Sequence, residues 1–387
     1  MPGFWAAPMA EYERYLEGSR RDFRRRGTIM EWLHLDGWLL FALVALMSMG
    51  LLVLHSAADG DKSVVIRQLR NYGVAMLLLL AVARIRVDTL RRWAPVLYLG
   101  ALGLLVAVAL VGIGAKGAQR WLSLGFIRFQ PSELMKLGMP LMLAWWFSRG
   151  ALPPRPSAVL IALVMVGLPA GLIVTQPDLG TSLLVAASGL FVVFMAGISW
   201  WYLLTAVVLA FASIWPAWLY LLKDYQKQRI ITLLEPEADR LGAGWNIIQS
   251  KTAIGSGGWT GKGWLQGTQS HLDFLPESQT DFIIAVLAEE FGLRGVLLLL
   301  LVYGLVVVRG LVISANAQTS FGRLLSAALT LTFFVYVFVN MGMVAGILPV
   351  VGVPLPLVSF GGTSIVSLML GFAVLMAVST EKRIISQ

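Results

Sequence analysis

Gly295-Val296-Leu297-Leu298-Leu299-Leu300-Leu301-Val302-Tyr303-Gly304-Leu305-Val306-Val307-Val308-Arg309-Gly310-Leu311 is the stretch that decides the fold class. A single charge interrupts an apolar run long enough to cross hydrocarbon as a helix, and nothing in it alternates as a barrel strand must. Similar runs fall near 36–55, 72–87, 94–114, 134–148, 157–175, 179–198, 201–222, 324–347 and 363–380, about ten spans in all. Composition agrees. With 58% hydrophobic and 13% charged residues, a soluble fold would lack polar surface, so the excess faces lipid. The expectation is an all-α, polytopic helical membrane protein. A tail, 1–35, precedes a membrane domain, 36–387, whose one large loop, 221–280, lies between the seventh and eighth spans.

An even number of spans puts both termini on one side. Arg20, Arg21, Arg24, Arg25 and Arg26 at one end and Lys382 and Arg383 at the other choose the cytoplasm by the positive-inside rule. The short loops bearing Arg84, Arg86, Arg91, Arg92, Arg149 and Arg155 fall on that same side. The opposite side breaks the usual asymmetry, because Lys116, Arg120, Arg128, Lys223, Lys227, Arg229, Lys251 and Lys262 lie there. Cations kept on the outer side of the membrane point to an anionic ligand.

Several classes are excluded. The chain has no cysteine, hence no disulfide framework and no thiolate chemistry. The net charge of +9 comes with no helix-turn-helix, zinc-ligand spacing or basic-aromatic sheet, so nucleic acid is not a partner. Gly255-Ser256-Gly257-Gly258 lacks the lysine-threonine ending of a nucleotide loop.

Four outward segments carry candidate chemistry. Lys116 to Trp121 is followed by Gln130-Pro131-Ser132-Glu133-Leu134-Met135-Lys136, where Pro131 and Ser132 read as a helix start with Ser132 as cap. Glu133 and Lys136 then share a helical face, either as a plain ion pair or with Lys136 and Arg120 receiving phosphate oxygens and Trp121 a sugar face. Asp178, in Gln176-Pro177-Asp178-Leu179-Gly180-Thr181, reads as the cap of the sixth span. Pro349 to Pro356, running into Ser359 to Ser364, reads as a proline-stiffened re-entrant connection, with amides near the tenth span open to an anion or simply turning the chain. In the long loop, Tyr225 to Ile230, Gly242 to Lys251 and Gly261 to Trp264 mix cations, amides, glycines and aromatics as a phosphorylated saccharide requires. Residues 245–254 read equally as an amphipathic surface helix. Asp281 follows in Leu275-Pro276-Glu277-Ser278-Gln279-Thr280-Asp281-Phe282, an acid at the membrane boundary that is either functional or the cap of the next helix. Glu289 and Glu290 lie two turns further on and read as a structural junction, with Arg294 the partner of one of them.

These motifs, from Lys116–Trp121 to Pro349–Gly362, resemble the SEDS peptidoglycan polymerases (shape, elongation, division and sporulation), most nearly their rod-shape branch, over about residues 30–380. The resemblance implies a glycosyltransferase that joins lipid II disaccharides into glycan strands during cell elongation. It implies that the position of Asp281 is essential and that Trp121, Glu133 and Lys136 take part. The partners it implies are a class B penicillin-binding protein (a transpeptidase) and other elongation-complex membrane proteins, besides lipid II and the growing strand.

An α-linked sugar diphosphate converted to a β-linked polymer inverts at carbon, so one base suffices, and Asp281 is the expected catalytic residue. Arg120, Trp121, Glu133, Lys136, Lys227, Arg229, Lys251 and Lys262 are the expected substrate contacts, the cations neutralising the departing diphosphate. A divalent cation (magnesium or manganese) sharing that work is compatible with the sequence although no closed ligand set is visible; no organic cofactor is expected. Two rivals stand: a lipid II flippase, which predicts charges at mid-membrane and related halves, and a non-catalytic scaffold for the transpeptidase.

Overall fold

The computed structural model describes residues 34–115, 118–123, 128–222, 224–239, 242–271 and 277–381. The N-terminal arginines, Lys382, Arg383, Lys116, Lys223, Leu275 and Pro276 lie outside the described residues.

Ten long helices occupy the places of the apolar runs. They are α1 (Gly37–Ala57), α2 (Lys62–Val82), α3 (Val87–Val111), α4 (Pro131–Ser148), α5 (Pro156–Thr175), α6 (Leu179–Met195), α7 (Trp200–Pro216), α11 (Ile283–Asn316), α12 (Ser320–Val344) and α13 (Thr363–Ser379). Six of them are long and apolar enough to cross a membrane, and the chain is a multi-pass membrane protein. Their lipid-facing sides carry exposed residues such as Leu77, Leu99, Leu160 and Leu301, while α4 and α13 run through the middle of the bundle with most of their residues buried.

Three helices, α2, α3 and α11, begin well before hydropathy places them. The added first turns of α2 carry Gln68, Asn71 and Tyr72, which bond to another loop, so they are polar for a structural reason. The segment from Ile283 is helical through Glu289 and Glu290 and then breaks at Gly292, with φ 63° and ψ −163°, before continuing as the leucine-rich run. An average over hydropathy hides such a break. The expected all-helical pattern also has a small addition: β1 (Ile113–Ala115), β2 (Ala118–Ser123) and β3 (Arg128–Phe129) form an antiparallel sheet between α3 and α4.

The loop after α7 is folded. A π-helical turn, Ala217–Leu221, extends α7; α8 (Asp224–Leu234), a 3-10 turn (Pro236–Asp239), α9 (Ala243–Gly257) and the single turn α10 (Thr268–His271) follow. Helix α9 is more than a surface helix. It packs on α11 and α12, and Ser250 Oγ donates to Val344 O at 2.9 Å.

At the end of the bundle where His34 and Thr380 meet, Asp36 caps α1 by accepting from Leu39 N and takes two hydrogen bonds from Arg309, at 2.9 and 2.6 Å. Ser379 donates to the same carboxylate, so α1, α11 and α13 are tied at one point. The loops with candidate chemistry all leave the opposite end.

Candidate active site

Asp281 stands on the turn before α11. The cap position of that helix is Phe282, where no side chain caps, so Asp281 does not hold the N-cap position. Three consecutive carbonyls fix its turn: Gln279 O accepts from Phe360 N at 2.8 Å, Thr280 O from Ser359 Oγ, and Asp281 O from Asn340 Nδ2 at 2.9 Å. Asn340 also donates to Val353 O at 2.7 Å, so α12 grips both the turn and the proline-rich segment.

That segment is re-entrant and heavily anchored. Tyr72 donates to Leu357 O and Tyr303 to Pro356 O, both at 2.7 Å, while Gln68 Nε2 reaches Ser359 O and Asn71 Nδ2 reaches Gly361 O. A β-carbon on Gly50 of α1 would stand 2.8 Å from Val358 Cα, so that helix is bare where the segment crosses it. A β-carbon on Gly352 would lie 3.5 Å from Asp281 Oδ2, and one on Gly180 would lie 2.9 Å from Val351 O. The segment therefore runs between the Asp281 carboxylate and the first turn of α6. The first turn of α13, which follows, has no side-chain cap.

On the α6 side, Asp178 caps the helix through Thr181 N and also accepts from Gln130 Nε2 at 3.2 Å. Arg120 reaches over from β2: its guanidinium is 3.7 Å from Asp178 and donates to the carbonyls of Gln176 and Pro177. Trp121 follows on the same strand, half-buried and opposite Ile113. Below them, Lys136 Nζ is 2.6 Å from Glu133 and 5.1 Å from the Tyr336 ring centroid, and Ser367 of α13 donates to the other oxygen of Glu133. Lys136, Tyr336 and Ser367 form the polar end of an internal cavity of about 40 Å3, enough for a few waters, whose other walls include Phe333 and Phe372. Ser132 is not the cap of α4. Gln130 holds that position with Pro131 at the first helical residue, and the Ser132 hydroxyl is buried with no hydrogen-bond partner.

The loop cations divide. Lys251, exposed on α9, passes so close to Gly346 that a β-carbon there would collide with its side chain, placing it beside the start of the α12–α13 connection. Lys227 and Arg229 ride on α8, which packs on α9 and the 3-10 turn. Lys262 is engaged elsewhere: its Nζ is 2.7 Å from Glu289, whose same oxygen accepts from Thr268 N and Gln269 N. Glu290 accepts from Ser56 of α1, and Arg294 lies over the Trp259 ring rather than on either glutamate. Sequence reasoning passed over Gln68, Asn71, Asn340 and Arg67, which lies 6.0 Å from the Phe360 ring centroid. Only their place on turns that pair with a distant loop marks them, and periodicity does not carry that.

Among the described residues no group of three or more His, Asp or Glu side chains able to hold a metal ion comes together.

A polytopic helical bundle with a cation-rich, carboxylate-bearing mouth at one end is the class of membrane protein that fold and site define. The chain belongs to the FtsW/RodA/SpoVE family of cell cycle proteins, whose family model matches residues 30–384. It is 51% identical over 366 residues to the peptidoglycan glycosyltransferase MrdB of Escherichia coli K12, covering 95% of this chain and 99% of that one. It is 36% identical to the probable peptidoglycan glycosyltransferase FtsW of Alkalilimnicola ehrlichii, over 98% of this chain and 96% of the relative. Among solved structures it is similar to a peptidoglycan synthase complex that coordinates polymerization and crosslinking (TM-score 0.79, 32% identity, 89% of this chain and 97% of that one). It is also similar to the rod shape determining protein RodA of Thermus thermophilus (TM-score 0.68, 28% identity, 89% and 96%).

Proposed function

We propose that this chain is a peptidoglycan glycosyltransferase that polymerises lipid II at the outer face of the cytoplasmic membrane, with Asp281 as the base. The activity rests on identity along nearly the full length of a relative with that name. The assignment of Asp281 is supported above all by its fixed turn. Three successive carbonyls are spoken for by α12 and the re-entrant segment, and Gly352 of that segment lies against its carboxylate.

In the proposed reaction the acceptor's 4-hydroxyl gives its proton to Asp281, its oxygen bonds to the anomeric carbon of the donor sugar, and the bond from that carbon to the diphosphate breaks. Inversion turns the α link into a β-1,4 link, and undecaprenyl diphosphate leaves as an anion. Arg120 and Lys136 hold the charge that develops on it, and Lys227, Arg229 and Lys251 meet the saccharide and diphosphate from the loop. This reading places both termini in the cytoplasm and the mouth in the periplasm, in agreement with the arginine-rich tail. A class B penicillin-binding protein is the proposed partner, supported by the similarity to the synthase complex.

Purified protein in detergent, given lipid II, tests this directly. Asp281→Asn is expected to reduce glycan ladders by at least about 10²-fold; a parental rate would remove the residue from the chemistry. Headgroup movement across vesicles without ladders would make the protein a flippase, and ladders that appear only from an added polymerase would make it a scaffold.

A further inference from the structure

On the membrane-facing side of the bundle, α3 and α5 enclose an open groove of about 600 Å3 lined by Leu102 and Val106 from one helix and Val164, Gly167, Leu168, Gly171 and Thr175 among those from the other. Its wall is almost wholly apolar. The α5 residues recur at helical spacing on the side opposite the buried Ala162, Val166, Pro169 and Ile173, so they belong to the lipid face and not to the core. The floor is made by two glycines one turn apart. A β-carbon at either Gly167 or Gly171 would meet nothing within 4 Å, so neither glycine serves the packing of this chain.

The two helices are pinned around the groove by Tyr98 OH to Met165 O at 2.7 Å and Gln176 Nε2 to Leu105 O at 3.0 Å. The open channel between them is therefore a fixed shape. From Val164 to Thr175 it runs roughly 16 Å along α5, close to the ~15 Å of one leaflet's hydrocarbon. A transmembrane partner helix would need a face through both leaflets, but the groove lining ends at Val164, and below it α5 carries the exposed, bulky Leu160, Ile161 and Leu163 instead of glycine. At its upper end the apolar wall stops at Thr175, and the next two residues, Gln176 and Pro177, hold Arg120 by their carbonyls. One leaflet of apolar channel beneath a guanidinium has the order of parts of a prenyl diphosphate: tail in hydrocarbon, phosphates at the interface, sugar outside.

We propose that the α3–α5 groove seats the polyprenyl tail of one of the two lipid-linked substrates, with Arg120 at its mouth against the diphosphate. This rests on the glycosyltransferase reading and adds a tail subsite to it. Bulk phospholipid fills such a channel when no substrate is bound, so the subsite reveals itself through tail length.

The test uses the full chain in detergent with lipid-linked disaccharide donors that carry either a long polyprenyl or a short prenyl tail. Gly167→Leu and Gly171→Leu fill the channel without touching the fold, which an unchanged Tm verifies. They are expected to raise KM for the long-tailed substrate about tenfold, as befits a few displaced methylene contacts, and to leave KM for the short-tailed one within about twofold. Leu301→Trp, exposed on α11 and not among the groove residues, should alter neither. Equal changes for both tails, or parental KM on both, would overturn the proposal. So would loss of a co-purifying membrane partner with no dependence on tail length, which would make the groove a helix-docking face. An inactive parent protein would instead count against the glycosyltransferase reading itself.

Discussion

Lys136 and Lys262 each close on a glutamate at nearly the same distance, 2.6 Å to Glu133 and 2.7 Å to Glu289, yet their surroundings differ. The first pair lies within one helix, three residues apart, so the ion pair itself ties no two segments together. Its ammonium lies against the Tyr336 ring and opens on a cavity. The second pair joins the loop after α9 to the first half of α11. Glu289 is fully buried, and the oxygen that meets Lys262 also receives two amides and a hydroxyl from the start of α10. Around it the loop backbone runs onto the broken helix: Lys262 N to Glu289 O, Gly263 N to Glu290 O, and Leu293 N to Gly258 O, each at 3.0 Å. The same two side chains thus serve opposite ends. On the proposed reading one places a charge where the diphosphate arrives, while the other fastens two segments that have no covalent reason to meet.

The largest expected effect breaks the fastening. Lys262→Met leaves the buried Glu289 carboxylate without its cation; the lysine side chain is partly exposed and the start of α10 still donates to the carboxylate, so the loss is up to about 3 kcal/mol. Thermal unfolding in detergent should show a marked fall in Tm and in folded yield. Parental stability combined with a raised KM for lipid II would restore Lys262 to the diphosphate, where the sequence first put it.

Lys136→Met should behave in the opposite way. Both side chains are buried, but Glu133 keeps its bond from Ser367 and the cavity that Lys136 lines can admit water, so the loss of stability should not exceed that of Lys262→Met. Polymerisation should fall about 10²-fold, near 2.7 kcal/mol of lost charge stabilisation. If yield and Tm collapse along with activity, the pair is structural and the contrast with Lys262 disappears.

The contrast also explains what was legible in the sequence. Continuous apolar runs gave the helices because lipid imposes length and composition on each span separately. Glu133 and Lys136 were visible as a pair because helical spacing is local, and Asp178 because a cap lies next to its helix. Lys262 and Glu289 stand 27 residues apart along the chain, and no local rule connects them. Read singly, each looked like a loop cation or a stray buried acid. The anchors of the Asp281 turn were hidden for the same reason: Asn340 of α12 reaches Asp281 O from 59 residues away in sequence, and Ser359 of the re-entrant segment reaches Thr280 O from 79. The early start of α2 was missed because its polar residues face a loop rather than lipid.

A smaller effect is expected where the fastened helix breaks. Gly292 adopts a backbone conformation almost closed to other residues, and a β-carbon there would strike Gly261 N and lie 2.7 Å from Trp259 O. Gly292→Ala should cost about 1–3 kcal/mol. Because the break separates the half-helix behind Asp281 from the leucine-rich run, the loss should be accompanied by reduced polymerisation. An alanine variant with parental Tm and rate would mean that loop and helix can part without consequence, and would weaken the view that this region is a fastening.

The smallest effect lies at the far end of the bundle, where a third ion pair joins helices as Lys262 and Glu289 join loop to helix, but nearer to water. Burial by itself pushes the Asp36 carboxyl up; the hydrogen bonds from Arg309 and from the Leu39 amide, with the guanidinium's charge, outweigh it and hold the group below the ordinary aspartate range. A carboxyl depressed on folding contributes stability that is complete above the unfolded value and disappears as pH falls through the folded one. The contribution should therefore be constant at neutral pH and decline below about pH 4. Asp36→Asn keeps a side chain able to cap α1 and removes only the charge, so it isolates the pair from the cap. Its stability at neutral pH should drop by on the order of 1 kcal/mol. Its Tm should then decline less than the parent's between about pH 5 and about pH 3, and parallel curves for the two proteins would mean that the cap, not the charge, ties these helices together.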